Sequence, residues 1–523
     1  MKRSRRHLGS VPSTPNRPPP VATTAGDSGR QRVLAVWPST MARAIRRPGS
    51  APPAWSVFSL VAAGLIGCSL ALLRPTGIES VLIGLIAFVL TAPLLARAIQ
   101  RTFDLFDPLT IVNLVLCYYF VVRPAADLIL SFSPLHQYSV QPTFTQALLL
   151  VLGGVTALQA GYHLPWGRRL AGLLPAPPVD IRPGRATACA TIVTLVSLGL
   201  FGSFVLAVGG ASAAAALMAG RGLVATGLRA SSTGYLYSSP ELAIPACLVL
   251  WGLALTARRG RAAFLLLSLV PGVIVAATSL PQGNRTSLLF LFLPIAALGY
   301  VVFGRRPRIL AIVVAGYVAL SVGSYITEAR VASSADRSVP TLIETFAAPT
   351  ESVQEMIAGT EGSEFDILAI ELQAVPSALP FESGATVTDL VTRAVPRVWA
   401  PEKPLERSDA LTVALFPDVY RGLRNDLLPS MVGILYMDSG FLSVILGMSV
   451  LGVMLRTLWT YFQMHKSSLG AQLLYVMCMP AIVVLMRDSP GQVLGELVFT
   501  VGPVVCILLV SGRDGGGEQR HDR

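Results

Sequence analysis

Charge is what this sequence has least of. Only 13% of its 523 residues are Asp, Glu, Lys or Arg, against about 25% in ordinary soluble domains. With 53% hydrophobic residues and a mean hydropathy of +0.61, the composition excludes a conventional soluble protein and indicates an integral membrane protein. Cysteine is also sparse. The six cysteines, Cys68, Cys117, Cys189, Cys247, Cys478 and Cys506, lie in apolar stretches with no CxxC or metal-ligand spacing, which argues against a disulfide framework and a zinc site. Histidine occurs five times, and there is no GxSxG elbow, P-loop or dinucleotide fingerprint,. No metal and no cofactor is expected. The excess of cations, +12 in all, sits mostly beside the apolar runs, where it sets orientation in a membrane. A nucleic-acid partner is therefore disfavoured.

What is present is a series of apolar runs of membrane-crossing length, about 17 to 25 residues each. They are expected near Trp55 to Leu73, Ile78 to Ile99, Pro108 to Leu130, Thr143 to His163, Ala186 to Val208, Glu241 to Ala257, Ala262 to Leu280, Thr286 to Phe303 and Ile309 to Thr327. Met431 to Leu458, Leu469 to Met486 and Val493 to Val510 complete about twelve. The fold class is thus an all-α polytopic membrane protein. Five regions follow: a basic tail over 1–53 too polar to fold, a membrane domain of about nine spans over 54–327, a large loop over 328–429, about three further spans over 430–511, and a tail over 512–523.

Alternate connections carry the arginines, among them Arg97, Arg168, Arg169, Arg258, Arg259, Arg305 and Arg306. By the positive-inside pattern both termini are expected in the cytoplasm and the large loop outside it. That loop holds 16 of the 29 acidic residues between Glu328 and Asp426, and is expected to be a solvated module. Acids among apolar residues over Phe365 to Val375 predict an amphipathic helix lying on the outer face. A second helix is predicted over about Thr386 to Val395, stopped by Pro396.

Several cations break the orientation pattern. Arg123 lies within the third run beside Pro124, Arg285 opens the eighth, and Arg487 closes the eleventh. Charge at membrane depth is costly and faces a bundle interior or a watery cavity. Arg397 and Lys403 in the loop add cations on the same side. Arginine's planar fork suits phosphate oxygens, so these five residues are candidate ligands for the diphosphate of a lipid-linked substrate. The structural alternatives are an ion pair of Arg123 with Asp127 one turn on, a span-end anchor at Arg285 and a loop turn at Arg487. Glu402, Asp438 and Asp488, with Glu496, are the carboxylates that could serve as a general base.

Pro380-Phe-Glu-Ser-Gly384, then Val395-Pro-Arg-Val-Trp-Ala-Pro-Glu-Lys-Pro404, then Gly433-Ile-Leu-Tyr-Met-Asp-Ser-Gly440 resemble the bacterial O-antigen and exopolysaccharide repeat-unit polymerases of the Wzy type. The order of features is also similar, from Tyr118-Tyr-Phe with Arg123-Pro124 through Gly283-Asn-Arg-Thr-Ser287 to Arg487-Asp488. The resemblance implies a GT-C-like membrane glycosyltransferase of the bacterial plasma membrane. It would polymerise undecaprenyl-diphosphate-linked oligosaccharide units at the outer face, without a metal, alongside membrane lipids, a chain-length regulator and a flippase. The large loop at 328–429, hereafter the insert, holds no histidine, and Ile434 follows Gly433, two departures from the expected pattern. An O-antigen ligase or another GT-C-type enzyme, and a transporter or flippase of lipid-linked sugars, are the alternatives.

Overall fold

The structure, a computed structural model, describes residues 77–100, 102–130, 139–178, 180–219, 234–282, 284–304, 314, 316–318, 321–325, 342–347, 357, 359, 362–393, 407–417 and 428–513. Four of its long helices begin at a side-chain cap. Asp107 accepts a hydrogen bond from the Leu109 amide at 2.9 Å and hands Pro108 to the first turn of α2 (Pro108–Ile129), which follows α1 (Ile78–Ile99),. The next helices are α3 (Phe144–His163), α4 (Trp166–Leu173), α5 (Pro183–Ala207), α6 (Ala243–Thr256), α7 (Arg261–Gln282) and α8 (Arg285–Phe303). Asn284 caps α8, and Gly304, left-handed at φ 60°, ends it,. The insert contributes α9 (Glu364–Ala374) and α10 (Ala385–Arg393), besides short helices over Leu342–Ala347 and Arg407–Leu415. Beyond it come α11 (Ser430–Ser439), α12 (Phe441–His465), α13 (Leu469–Leu485) and α14 (Pro490–Ser511), the last two capped by Ser468 and Ser489.

Among the described residues, nine helices are long and apolar enough to cross a membrane, and α13 is shorter. The protein is a helical, multi-pass membrane protein. The expected spans at Trp55 to Leu73 and over most of Ile309 to Thr327 lie outside the described residues. The expected span Met431 to Leu458 is broken in two. Gly440 takes φ 71° and ψ −144°, a conformation that only glycine adopts without strain, and the chain turns there from α11 into α12.

Two apolar clusters hold the helices. One joins α1, α2, α3, α9, α11, α12 and the end of α13, and the other joins α5, α6, α7, α8, α12, α13 and α14. Lipid is as apolar as leucine, so helices in a membrane associate through close packing. The α3–α12 seam is built that way: a Cβ on Gly161 would fall on the Ser449 carbonyl, and one on Gly452 on the Leu158 carbonyl. At one end of the bundle, which we call the insert end, Arg123 of α2 and the start of α3 meet the insert. At the opposite end Arg97, Asp107, Tyr162 and Arg456 cluster, and a short antiparallel pair, β1 (Asp180–Ile181) with β2 (Gly512–Arg513), ties the α4–α5 link to the chain after α14.

One expectation is overturned. Helix α9 is not an amphipathic helix on a solvated face, since every residue from Glu364 to Ile370 is buried, as is Glu371. The reason is its pattern. Phe365, Ile367, Leu368, Ala369, Ile370 and Leu372 occupy all sides at 100° per residue, and a helix apolar all round is buried. Helix α9 is therefore sunk among the span ends, whereas 380–384 and part of α10, with Val387 and Val391, are exposed as expected of a solvated segment.

Candidate buried charge site at the insert end

The site starts from a defect in α2. Pro124 has no N–H and would collide with the carbonyl four residues back in a regular helix. The preceding turn, Tyr118–Val122, is a π-turn, and the Arg123 amide donates to the Tyr118 carbonyl five residues earlier. Such bulges re-aim the side chains that follow them.

Arg123 is 1% exposed. Its Nη2 donates to Asp366 Oδ2 at 2.6 Å and its Nε to Asp366 Oδ1 at 3.5 Å, so α9 is gripped by both prongs of the guanidinium. Nη1 donates to the Ile357 carbonyl at 2.8 Å, and Asp127, one turn along α2, stands 3.4 Å from Nε. One cation thus faces two buried carboxylates, one from its own helix and one from the insert. The expected Arg123–Asp127 ion pair is present, and Asp366 is the closer partner.

A second acid of α9 is held similarly, and a third lies against a glycine. Glu364, 2% exposed, lies 3.3 Å from Arg487 Nε at the end of α13. Glu371 is fully buried beside Gly433 of α11, where a Cβ would overlap its carboxylate. The Thr143 hydroxyl donates to the Ala369 carbonyl, and Gln373 Nε2 donates to the Ser139 carbonyl at 2.8 Å. Phe144 and Phe365 meet edge to face with centroids 4.8 Å apart. Acids in the first turn also complement the positive end of the helix dipole.

The sequence-derived residues separate into groups. Arg123 and Arg487 are brought together, for both reach α9 and each already faces a carboxylate. Arg285 is half-buried in the first turn of α8, beside a network in which Glu241 Oε1 accepts from Ser287 Oγ at 2.6 Å and from Asn284 Nδ2 at 3.2 Å. Asp438 is 7% exposed and accepts from the Thr386 amide at 3.1 Å, capping α10 from a neighbouring helix. Asp488 accepts from the Ser489 amide at 2.6 Å. Glu402, Arg397 and Lys403 lie outside the described residues, as does Pro396, the expected stop of the second helix of the insert.

Sequence reasoning missed Glu364, Asp366, Glu371 and Glu241 as members of the polar core. For the first three a signal existed: acids embedded in apolar residues on every side leave no face for water. For Glu241 nothing local distinguished it from a span-end anchor. The motif strings are joined by the fold: Glu382 donates its amide to the Met437 carbonyl at 2.9 Å, Ser439 Oγ lies 3.2 Å from Ser383 Oγ, and Phe381 packs on Tyr436 with ring centroids 5.7 Å apart. Pro380 to Gly384 and Gly433 to Gly440 thus form one structural unit. Among the described residues no three His, Cys, Asp or Glu side chains are grouped as a metal centre requires.

Chemically, the arrangement offers guanidinium forks and carboxylates in a water-poor setting, where charge interactions are strong. Compared with known protein families, curated proteins and solved structures, the chain has no match.

Proposed function

We propose that this protein is a membrane glycosyltransferase that polymerises undecaprenyl-diphosphate-linked oligosaccharide repeat units at the outer face of a bacterial plasma membrane. The observation that carries the reading is the sinking of α9 among the span ends, with its carboxylates on Arg123 and Arg487. A lipid-linked diphosphate presents its reactive bond at that depth, between an apolar layer that takes its tail and a charged floor that takes its headgroup. The resemblance of Pro380 to Gly384, Val395 to Pro404 and Gly433 to Gly440 to repeat-unit polymerases supports the same assignment.

In the proposed reaction an acceptor hydroxyl attacks the anomeric carbon of the growing glycan. The bond to the diphosphate oxygen breaks, and the hydroxyl proton passes to a carboxylate. Arginines stabilise the charge developing on the leaving diphosphate, which is the largest single term in many enzymes. Arg285, Arg397 and Lys403 are the cations assigned to that task. Arg123 and Arg487 serve by exchanging carboxylate for phosphate oxygens, or by fixing the floor on which the others act. Asp438 and Asp488 each have one carboxylate oxygen on a backbone amide and are assigned, with Glu402, as candidate bases.

A second reading is favoured by one feature. The half-helix α11, ended by Gly440, resembles the discontinuous helices at transporter binding sites, and would suit a flippase of lipid-linked sugars. Incubating the purified protein with lipid-linked repeat units separates the readings. A ladder of products supports the polymerase, a single transfer indicates a ligase, and transport without any product indicates the flippase.

A further inference from the structure

At the end of the bundle away from the insert, α4 follows α3 after a short turn and lies against α12. Gly167 and Ala171 face the protein, and a Cβ on Gly167 would come within 2.7 Å of Arg456 Cβ. At 100° per residue, Trp166, Leu170 and Leu173 then share one stripe on another face. They are 60%, 45% and 80% exposed, far more than a stripe buried in protein would be. Arg168 and Arg169, both exposed, complete the third side. An apolar stripe flanked by arginines on a short helix is the pattern of a helix lying in the membrane interface.

Beside this helix the cations outnumber the acids. Arg97 pairs with Asp107 at 2.6 Å, and Tyr162 donates its hydroxyl to the same carboxylate at 2.9 Å. The guanidinium carbons of Arg97 and Arg456 stand 5.3 Å and 5.2 Å from the Tyr162 ring centre, which is cation–π range. Arg97, Arg456 and Arg168 all act electrostatically on His163 at the end of α3, with Asp107 as the one acid doing so. Three guanidinium groups therefore bear on His163, while Asp107 meets only Arg97 and Arg456 and is already engaged by Arg97.

We propose that this corner is a binding site for an anionic phospholipid, with the phosphate on Arg456 and Arg168 beside His163 and the acyl chains along Trp166, Leu170 and Leu173. The charge complementarity selects the headgroup class, and the exposed stripe selects a lipid over a soluble anion. The site lies at the opposite end from the buried charge site of α9 and is independent of the reaction assigned there.

The test measures lipid retained by the purified full chain in native mass spectrometry, from mixed micelles of phosphatidylcholine, phosphatidylglycerol and cardiolipin. The anionic lipids are expected to be retained at least tenfold over phosphatidylcholine. Arg168→Gln and Arg456→Gln should each reduce that preference about fivefold, the worth of one cation at an anionic surface, and Arg456→Lys should largely keep it. Because Arg168 is exposed, its variant reports on binding even where Arg456→Gln disturbs packing. Trp166→Ala with Leu173→Ala should weaken retention of every lipid. Equal retention of phosphatidylcholine, unchanged preference in Arg168→Gln, or displacement of the lipid by millimolar inorganic phosphate would each overturn the proposal.

Discussion

The Arg123 site allows a prediction in which three similar substitutions should differ in size. Arg123 and Asp366 have side chains 1% and 0% exposed, 2.6 Å apart, and Asp127 has 5% exposure at 3.4 Å. Removing one partner from a buried pair costs about 3–5 kcal/mol, because the other charge stays in a medium that cannot solvate it. Arg123→Gln strands two carboxylates and should cost at least that much. Asp366→Asn leaves Arg123 with Asp127 as its counter-charge, so about 1–2 kcal/mol is expected, the range for a charge-assisted hydrogen bond weakened in place. Asp127→Asn removes the surplus negative charge and should be neutral within about 1 kcal/mol or stabilising. The assay is amide hydrogen exchange across 362–374, which reports local opening of α9. At about 1.4 kcal/mol per decade, Arg123→Gln should speed exchange there roughly 100-fold or more, until global unfolding sets the limit. If Arg123→Gln exchanges within tenfold of the wild type, or if Asp127→Asn is as damaging as Arg123→Gln, the charge accounting is wrong.

Other consequences are equally direct. Gly161→Leu and Gly452→Val drive a side chain into the facing backbone and should cost at least about 3 kcal/mol, the top of the usual overpacking range, seen as loss of the monodisperse peak in fluorescence-detected size exclusion. Gly172→Ala, with nothing within 4 Å of the added carbon, is the control and should behave as the wild type. Gly440→Ala should cost about 1–3 kcal/mol through backbone strain alone, read as a lowered melting temperature in detergent. For the proposed chemistry, Arg285→Ala and Arg397→Ala should each lower transfer on purified lipid-linked units about 100- to 1,000-fold, as loss of one charge-stabilising donor does. Wild-type rates in both variants would remove these residues from the diphosphate site.

Composition and apolar run length suffice for the class of structure and most span positions. An apolar run of membrane length has one low-energy outcome in lipid, a helix that satisfies its own backbone, so Ile78–Ile99 and Arg285–Phe303 were legible nearly to the residue. The sequence also marked Arg123 as a charge that needed a partner and offered Asp127, because i to i+4 neighbours on a helix are fixed by the chain itself. The tertiary structure decided what lies far apart in sequence. That Asp366, 243 residues away, takes both prongs of Arg123, that Gly433 leaves room for Glu371, and that Asp438 caps α10 all depend on how helices pack, which no local period encodes. The burial of α9 rests on the same difference. Counting the insert's acids suggested water, but burial is set by what surrounds each carboxylate, and Arg123 and Arg487 let α9 sink among the spans.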